Sequence, residues 1–172
     1  MIEAGLSLGC NIGDCISTFK YVIASLQYSG SISGISSLYL TEPWGVPDQP
    51  QYYNCVVVLK PVMPLFPFFV FIRELERRLG RKRKGDYRPR PIDIDILFFG
   101  NTVMNNELLT IPHARMHQRR FVLEPLAEVN PDWIHPVLKQ SVRDILFSLN
   151  DPGQVSKLSP YPEWIYSSSI NG

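Results

Sequence analysis

The segment Ile92-Asp93-Ile94-Asp95-Ile96-Leu97-Phe98-Phe99 constrains the fold of this chain more than any other. Side chains on a strand alternate between faces, so Ile92, Ile94 and Ile96 share one face and Asp93 and Asp95 the other. The isoleucine face needs a cover of helices, while the aspartate face must stay where water, a cation or a ligand can reach it. At ~3.3 Å per residue the two carboxylates stand about 7 Å apart, close enough to repel each other. Read alone, the pair is either a solvated strand face or a divalent-cation site. Magnesium suits it, because that ion takes one or two carboxylates and completes its octahedron with waters and phosphate oxygens.

The rest of the chain supplies elements to pack around this strand. Ile2 to Leu8 reads as a first strand ending at Gly9, and residues 14–28 as a helix with Asp14 as N-cap and Ile16, Phe19, Val22, Ile23 and Leu26 at helical spacing. Ile32 to Leu40 is a second strand, and Thr41 to Gln51, with three prolines and a glycine, a loop. Tyr52 to Lys60 is a third strand rich in β-branched and aromatic residues, and Pro64 to Leu79 a second helix stopped by Gly80. Ile92 to Phe99 is the fourth strand. Thr102 to Met104 reads as a short edge strand, His113 to Glu128 as a helix broken at Pro125, and Ser141 to Leu149 as a last helix. Joined by right-handed crossovers, this order predicts an α+β, ferredoxin-like βαββαβ fold, a four-stranded antiparallel sheet with helices on one face. Residues 1–150 form that domain. Residues 151–172, rich in Ser, Pro and Gly and without periodicity, read as a tail or linker.

Charge narrows the chemistry. The net charge is only +1, yet residues 72–90 hold nine basic side chains against three acidic ones, leaving eight basic and thirteen acidic elsewhere. Such a concentrated cluster fits a local phosphate site better than a surface that coats nucleic acid. Arg81, Lys82, Arg83 and Lys84 fall in a loop before Gly85, and Arg90 directly precedes the acidic strand. Thr110, His113, Arg115 and Arg119 add groups able to meet phosphate or ribose oxygens. There is no G-x-x-x-x-G-K-[ST] loop, no protein-kinase signature set, and only sparse glycines near the first strand. No apolar run approaches membrane-helix length, and the N-terminus lacks signal-peptide order. Cys10, Cys15 and Cys55 show neither metal-ligand spacing nor the even count of a disulfide framework, so free thiols in a reducing cytoplasm are the default expectation.

Several blocks, in order, carry a resemblance to a known family. They are residues 7–14 (Ser-Leu-Gly-Cys-Asn-Ile-Gly-Asp), 39–45 (Tyr-Leu-Thr-Glu-Pro-Trp-Gly) and 48–54 (Asp-Gln-Pro-Gln-Tyr-Tyr-Asn), then Glu76 with Gly80-Arg81. Arg90 to Leu97, Leu109 to His113 and Arg119 to Leu126 follow. Across about residues 2–150 the chain resembles the 6-hydroxymethyl-7,8-dihydropterin pyrophosphokinase family. The resemblance implies transfer of the β,γ-pyrophosphoryl group of ATP to a pterin hydroxymethyl group, a step of folate biosynthesis, with two magnesium ions on Asp93 and Asp95. It implies that Arg81, Arg83 and Arg90 act in a catalytic loop that closes over the phosphates. Arg73, Glu76, Arg83, Tyr87, Arg90, Ile96, Thr110, His113 and Arg119 would bind ATP. The pterin would stack between Tyr52 and Phe121, with Asn54 reading its polar edge and Thr41, Glu42 and Trp44 supplying further contacts. Cys10, Glu42, Tyr87 and Leu108 depart from residues common in the family, Ser, Pro, Trp and Arg respectively. Fusion ahead of dihydropteroate synthase occurs in the family, so the tail is read as the possible start of such a linker.

Two other classes share parts of this pattern. An RNA-binding module of the same strand order needs exposed aromatics on its central strands, which Tyr52 to Lys60 does not supply, and its RNA would be repelled by Asp93 and Asp95. A two-metal nuclease leaves the aromatic blocks without a purpose.

Overall fold

β1 (Ala4–Cys10) is buried along its whole length, and the sheet is built around it. The computed structural model describes residues 2–43, 48–81 and 88–166. β1 is followed by α1 (Cys15–Leu26), β2 (Gly30–Ile35), β3 (Leu38–Thr41), β4 (Tyr52–Pro61), α2 (Leu65–Arg78) and β5 (Asp93–Phe99). Then come the short β6 (Met104–Asn105) and β7 (Thr110–Ile111), a 3-10 turn at Met116–Gln118, α3 (Arg120–Val129), α4 (Val142–Ser148), β8 (Val155–Ser159) and α5 (Glu163–Tyr166). The main sheet runs β5-β1-β4-β3-β8, with β2 also paired to β4, and its pairings are antiparallel. This is the ferredoxin-like order. Among the described residues, no helix is long and apolar enough to cross a membrane.

Local chemistry sets the element ends. The Asp14 carboxylate accepts from Ser17 N–H at 3.0 Å and caps α1. α2 ends at Gly80, whose φ of +89° is the left-handed conformation that glycine adopts without strain. α1 and α2 bury Phe19, Val22, Leu26, Phe68 and Ile72 against Leu6, Leu8, Cys55, Val57, Ile92, Ile94 and Ile96, the face the isoleucine alternation selects.

The structure departs from the sequence reading in six places. Helices cover both faces of the sheet, since α3 and α4 bring Val122, Leu123, Leu126, Val142 and Ile145 onto Val56, Val58 and Leu97 of the second face. The second strand is two, divided at the buried Ser36 and Ser37; the Ser36 hydroxyl accepts from Val56 N–H at 2.9 Å, so a side chain replaces a ladder bond there. α3 continues through Pro125, because the packing of Leu123 and Leu126 outweighs one lost backbone bond. The expected strand at Thr102 to Met104 is instead the β6–β7 pair, Met104 opposite Ile111 and Asn105 opposite Thr110.

The expected tail is structured. β8 extends the sheet beside β3, with Thr41 opposite Val155, and Lys157 lies 3.6 Å from the Glu128 carboxylate. Trp164 of α5 is fully buried, edge-on to Phe19, and donates from Nε1 to Ser36 C=O at 3.2 Å. Cys10 and Cys15, expected as free thiols, form a disulfide; the strand end and the helix start bring their Cα atoms to 5.6 Å, within bridging reach. Cys55 is free and buried.

Candidate active site

Strand register builds the site. Gly9 on β1 lies opposite Asn54 on β4 and opposite Asp93 on β5, so the three form one row across the sheet. Ser7 similarly lies between Val56 and Asp95. Cross-strand neighbours point the same way, which puts Asn54, Asp93 and Asp95 on the face opposite Ile94 and Ile96. A Cβ on Gly9 would sit 3.3 Å from the Asn54 side-chain oxygen, so glycine leaves that row room. Further along the face α3 and α4 cover the sheet. The polar row at the end of β1 stays partly open.

Arginines hold one carboxylate and a histidine faces the other. Arg81, itself buried, reaches Asp93 Oδ1 at 3.2 Å, while Arg90 reaches Asp93 Oδ2 at 3.3 Å. His113 Nε2 is 3.7 Å from Asp95 Oδ2. The backbone N–H of Arg115 donates to His113 Nδ1 at 3.2 Å, so the neutral ring carries its proton on Nε2, toward Asp95. His113 N–H donates to Leu97 C=O at 2.8 Å, which fixes the turn after β7 against the acidic strand. Among the described residues, no group of three or more His, Cys, Asp or Glu stands together as a ready metal cage. Two half-buried carboxylates suit an ion that takes the rest of its shell from water and phosphate oxygens.

Arg90 links this centre to Tyr52. Its Nη2 and Nε donate to the Tyr52 hydroxyl at 2.9 and 3.2 Å, and its guanidinium lies 5.5 Å from the ring centre. Burial opposes the Arg90 charge, but Tyr52 and Asp93 outweigh it and hold its pKa above the ordinary value. Asn54, 3 % exposed, donates to the Thr41 hydroxyl at 2.7 Å. Phe121 lies at the start of α3, packed beside the second core cluster, with the Arg119 guanidinium 5.6 Å from its ring centre.

Other expected residues are placed differently. Arg73 pairs with Glu76 on α2 and lies 5.0 Å over the Phe69 ring. Glu76 is buried against β5, where it accepts from Ile94 N–H. Ile96, 2 % exposed, belongs to the helix-covered core and faces away from the aspartates. Thr110 is on β7, its hydroxyl donating to Asn105 at 2.9 Å, and Glu42 is exposed beyond β3. Trp44, Arg83 and Tyr87 lie outside the described residues.

Sequence reasoning missed Asn11. Its backbone N–H donates to Arg90 C=O at 3.1 Å and its side-chain oxygen accepts from Arg90 N–H at 2.9 Å. Its Nδ2 donates to Gln49 Oε1 at 3.3 Å and Pro50 C=O at 3.2 Å. Asn11 therefore ties the approach to the acidic strand to the segment leading into Tyr52. A buried carboxamide in a turn was the available signal, but its burial is not written in the sequence.

Paired carboxylates beside arginines, with aromatic and carboxamide groups two strands away on the same face, are the residue set that a metal-assisted phosphoryl-transfer site requires. Residues 5–131 match the family model described as 7,8-dihydro-6-hydroxymethylpterin-pyrophosphokinase (HPPK). The chain belongs to this family. It is 34 % identical over 144 residues to the 2-amino-4-hydroxy-6-hydroxymethyldihydropteridine pyrophosphokinase of Aquifex aeolicus, covering 84 % of this chain and 90 % of that protein. It is 38 % identical over 128 residues to the Bacillus subtilis protein of the same name, covering 73 % and 77 %. A crystal structure of Plasmodium falciparum HPPK-DHPS superposes with a TM-score of 0.70 at 18 % identity over 85 % of this chain, and shows the shared fold. This chain spans only 44 % of that protein, and 19 % of the Pneumocystis carinii folic acid synthesis protein fol1, to which it is 37 % identical over 80 % of its own length.

Proposed function

We propose that this chain transfers the β,γ-pyrophosphoryl group of magnesium-bound ATP to the hydroxymethyl group of 6-hydroxymethyl-7,8-dihydropterin, giving AMP and the pterin diphosphate. The observation that carries this reading is the row Asn54–Gly9–Asp93. Two strand spacings of ~4.8 Å put a carboxamide that can read a heterocycle within about 10 Å of the metal carboxylate, on one face. Acceptor and donor therefore share one surface.

Asn54 offers both a donor and an acceptor to a pterin edge, held in place by Thr41. Tyr52 and Phe121 supply aromatic faces for a flat ring. Asp93 and Asp95 would hold two magnesium ions, which would neutralise charge on the transferred group. Arg81, Arg90 and His113 stand beside these carboxylates and, with Arg119, would meet a triphosphate; Arg90 also positions Tyr52. Arg83 and Tyr87 are assigned to ATP, and Trp44 and Glu42 to the pterin, on the family resemblance alone. Thr110 would approach the nucleoside by its hydroxyl, and Ile96 only by its backbone, since its side chain is in the core. The longer relatives support fusion to a dihydropteroate synthase domain.

Calorimetry with a non-hydrolysable ATP analogue and the pterin, with and without magnesium, tests the reading. Pterin binding strengthened by nucleotide plus magnesium is expected. Absence of pterin binding under all conditions overturns it.

A further inference from the structure

We infer that Glu76 is a positioning residue for the metal carboxylates rather than a seat for the nucleoside. Among the described residues β5 is the outer strand of the sheet, and one of its edges has no neighbouring strand to pair with. Two side chains take the place of that strand. Glu76 Oε1 accepts from Ile94 N–H at 2.7 Å, and Arg81 Nη1 donates to Ile92 C=O at 3.0 Å. The two bonds pin the peptides on either side of Asp93. Arg81 then adds its contact to Asp93 Oδ1, while Glu76 steadies Arg81 from 3.7 Å and pairs with Arg73 through its other oxygen.

Glu76 is 3 % exposed, and its carboxylate meets the edge of β5. Backbone bonds at a sheet edge fix the direction in which a strand projects its side chains. Without the Ile94 bond the peptide after Asp93 keeps its pairing to β1 but loses its outer anchor, and the spacing between Asp93 and Asp95 loosens. Partners of this kind behind metal-binding side chains are worth about 10–100-fold in metal affinity.

The inference rests on the proposed metal–triphosphate site, and manganese titration followed by electron paramagnetic resonance separates the two. The probe is Mn2+ with inorganic tripolyphosphate, which has no nucleoside. Glu76→Ala is expected to weaken Mn2+ binding at least about tenfold. Glu76→Gln, which keeps an oxygen for Ile94 N–H, should restore it to within about threefold of the native chain. Unchanged Mn2+ affinity in Glu76→Ala, with ATP binding alone weakened, assigns Glu76 to the nucleoside and overturns the inference. Failure of the native chain to bind Mn2+ with tripolyphosphate overturns the metal-site reading itself. Amide exchange of Ile94 in the native chain gives a check independent of any variant. Protection matching that of interior strands is expected, and the fast exchange of an open edge contradicts the inference.

Discussion

Replacing Trp164 by Ala tests whether residues 155–166 are part of the fold. Trp164 is fully buried, sits edge-on to Phe19 with ring centres 6.4 Å apart, and donates to Ser36 C=O. Ser36 in turn accepts from Val56 N–H, so the indole braces the division between β2 and β3. Truncating a buried tryptophan to alanine costs about 3–5 kcal/mol. That is a large part of the ~5–15 kcal/mol available to a domain. At about 2–4 °C per kcal/mol for a chain of this size, the melting temperature should fall by roughly 6–20 °C. Trp164→Phe keeps the ring packing and loses the Nε1–H bond, and should recover more than half of that shift. The assay is thermal unfolding by circular dichroism, with urea unfolding as a check on cooperativity. A shift below about 2 °C in Trp164→Ala refutes the reasoning, because it leaves the segment as a detachable tail.

Asp93→Ala and Asp95→Ala should each lower kcat at least ~10²-fold while leaving the melting temperature within about 3 °C, since a partly open carboxylate is lost and charge stabilisation with it; steady-state kinetics and thermal unfolding decide this. Asn54→Ala should raise the pterin Kd at least ~10-fold with nucleotide affinity nearly unchanged, measured by calorimetry. Burial disfavours the Glu128 charge, but hydrogen bonds from Ser37 and Tyr39, with Lys157 nearby, outweigh it and hold its pKa below the ordinary carboxylate value. Its stabilising effect is therefore present above the unfolded carboxylate pKa and lost as pH falls through the folded value. Urea unfolding across that acid range should show a steeper loss in the native chain than in Glu128→Gln, and parallel curves contradict this.

How much could be read beforehand depended on whether a residue's partner was near in sequence or carried in a pattern. Ile92, Ile94 and Ile96 against Asp93 and Asp95 announced their faces by alternation, and Asp14 announced a helix start by a local hydrogen bond. β8 was illegible because Val155-Ser-Lys-Leu-Ser has only two apolar residues; its place comes from the edge of β3 and from Lys157 meeting Glu128. The disulfide could not be read either, since only the geometry of the β1–α1 turn brings Cys10 and Cys15 together. Pro125 misled for the opposite reason, a strong local breaker overridden by packing. Within the site, Asp93, Asp95, Arg90, Asn54 and Tyr52 converge on one face, while Glu76 and Ile96 turn out to be buried. Which of two oxygens or which face a buried side chain meets is a tertiary fact, and the sequence does not carry it.

The proposed reaction moves two phosphoryl units in one step, and its products decide the matter. ATP labelled separately at the β- and γ-phosphorus is incubated with the chain, magnesium and 6-hydroxymethyl-7,8-dihydropterin, and the products are resolved by mass spectrometry. AMP without label and a pterin diphosphate carrying both labels are expected. ADP with a pterin monophosphate, or labelled phosphate released with no modified pterin, contradicts that reaction.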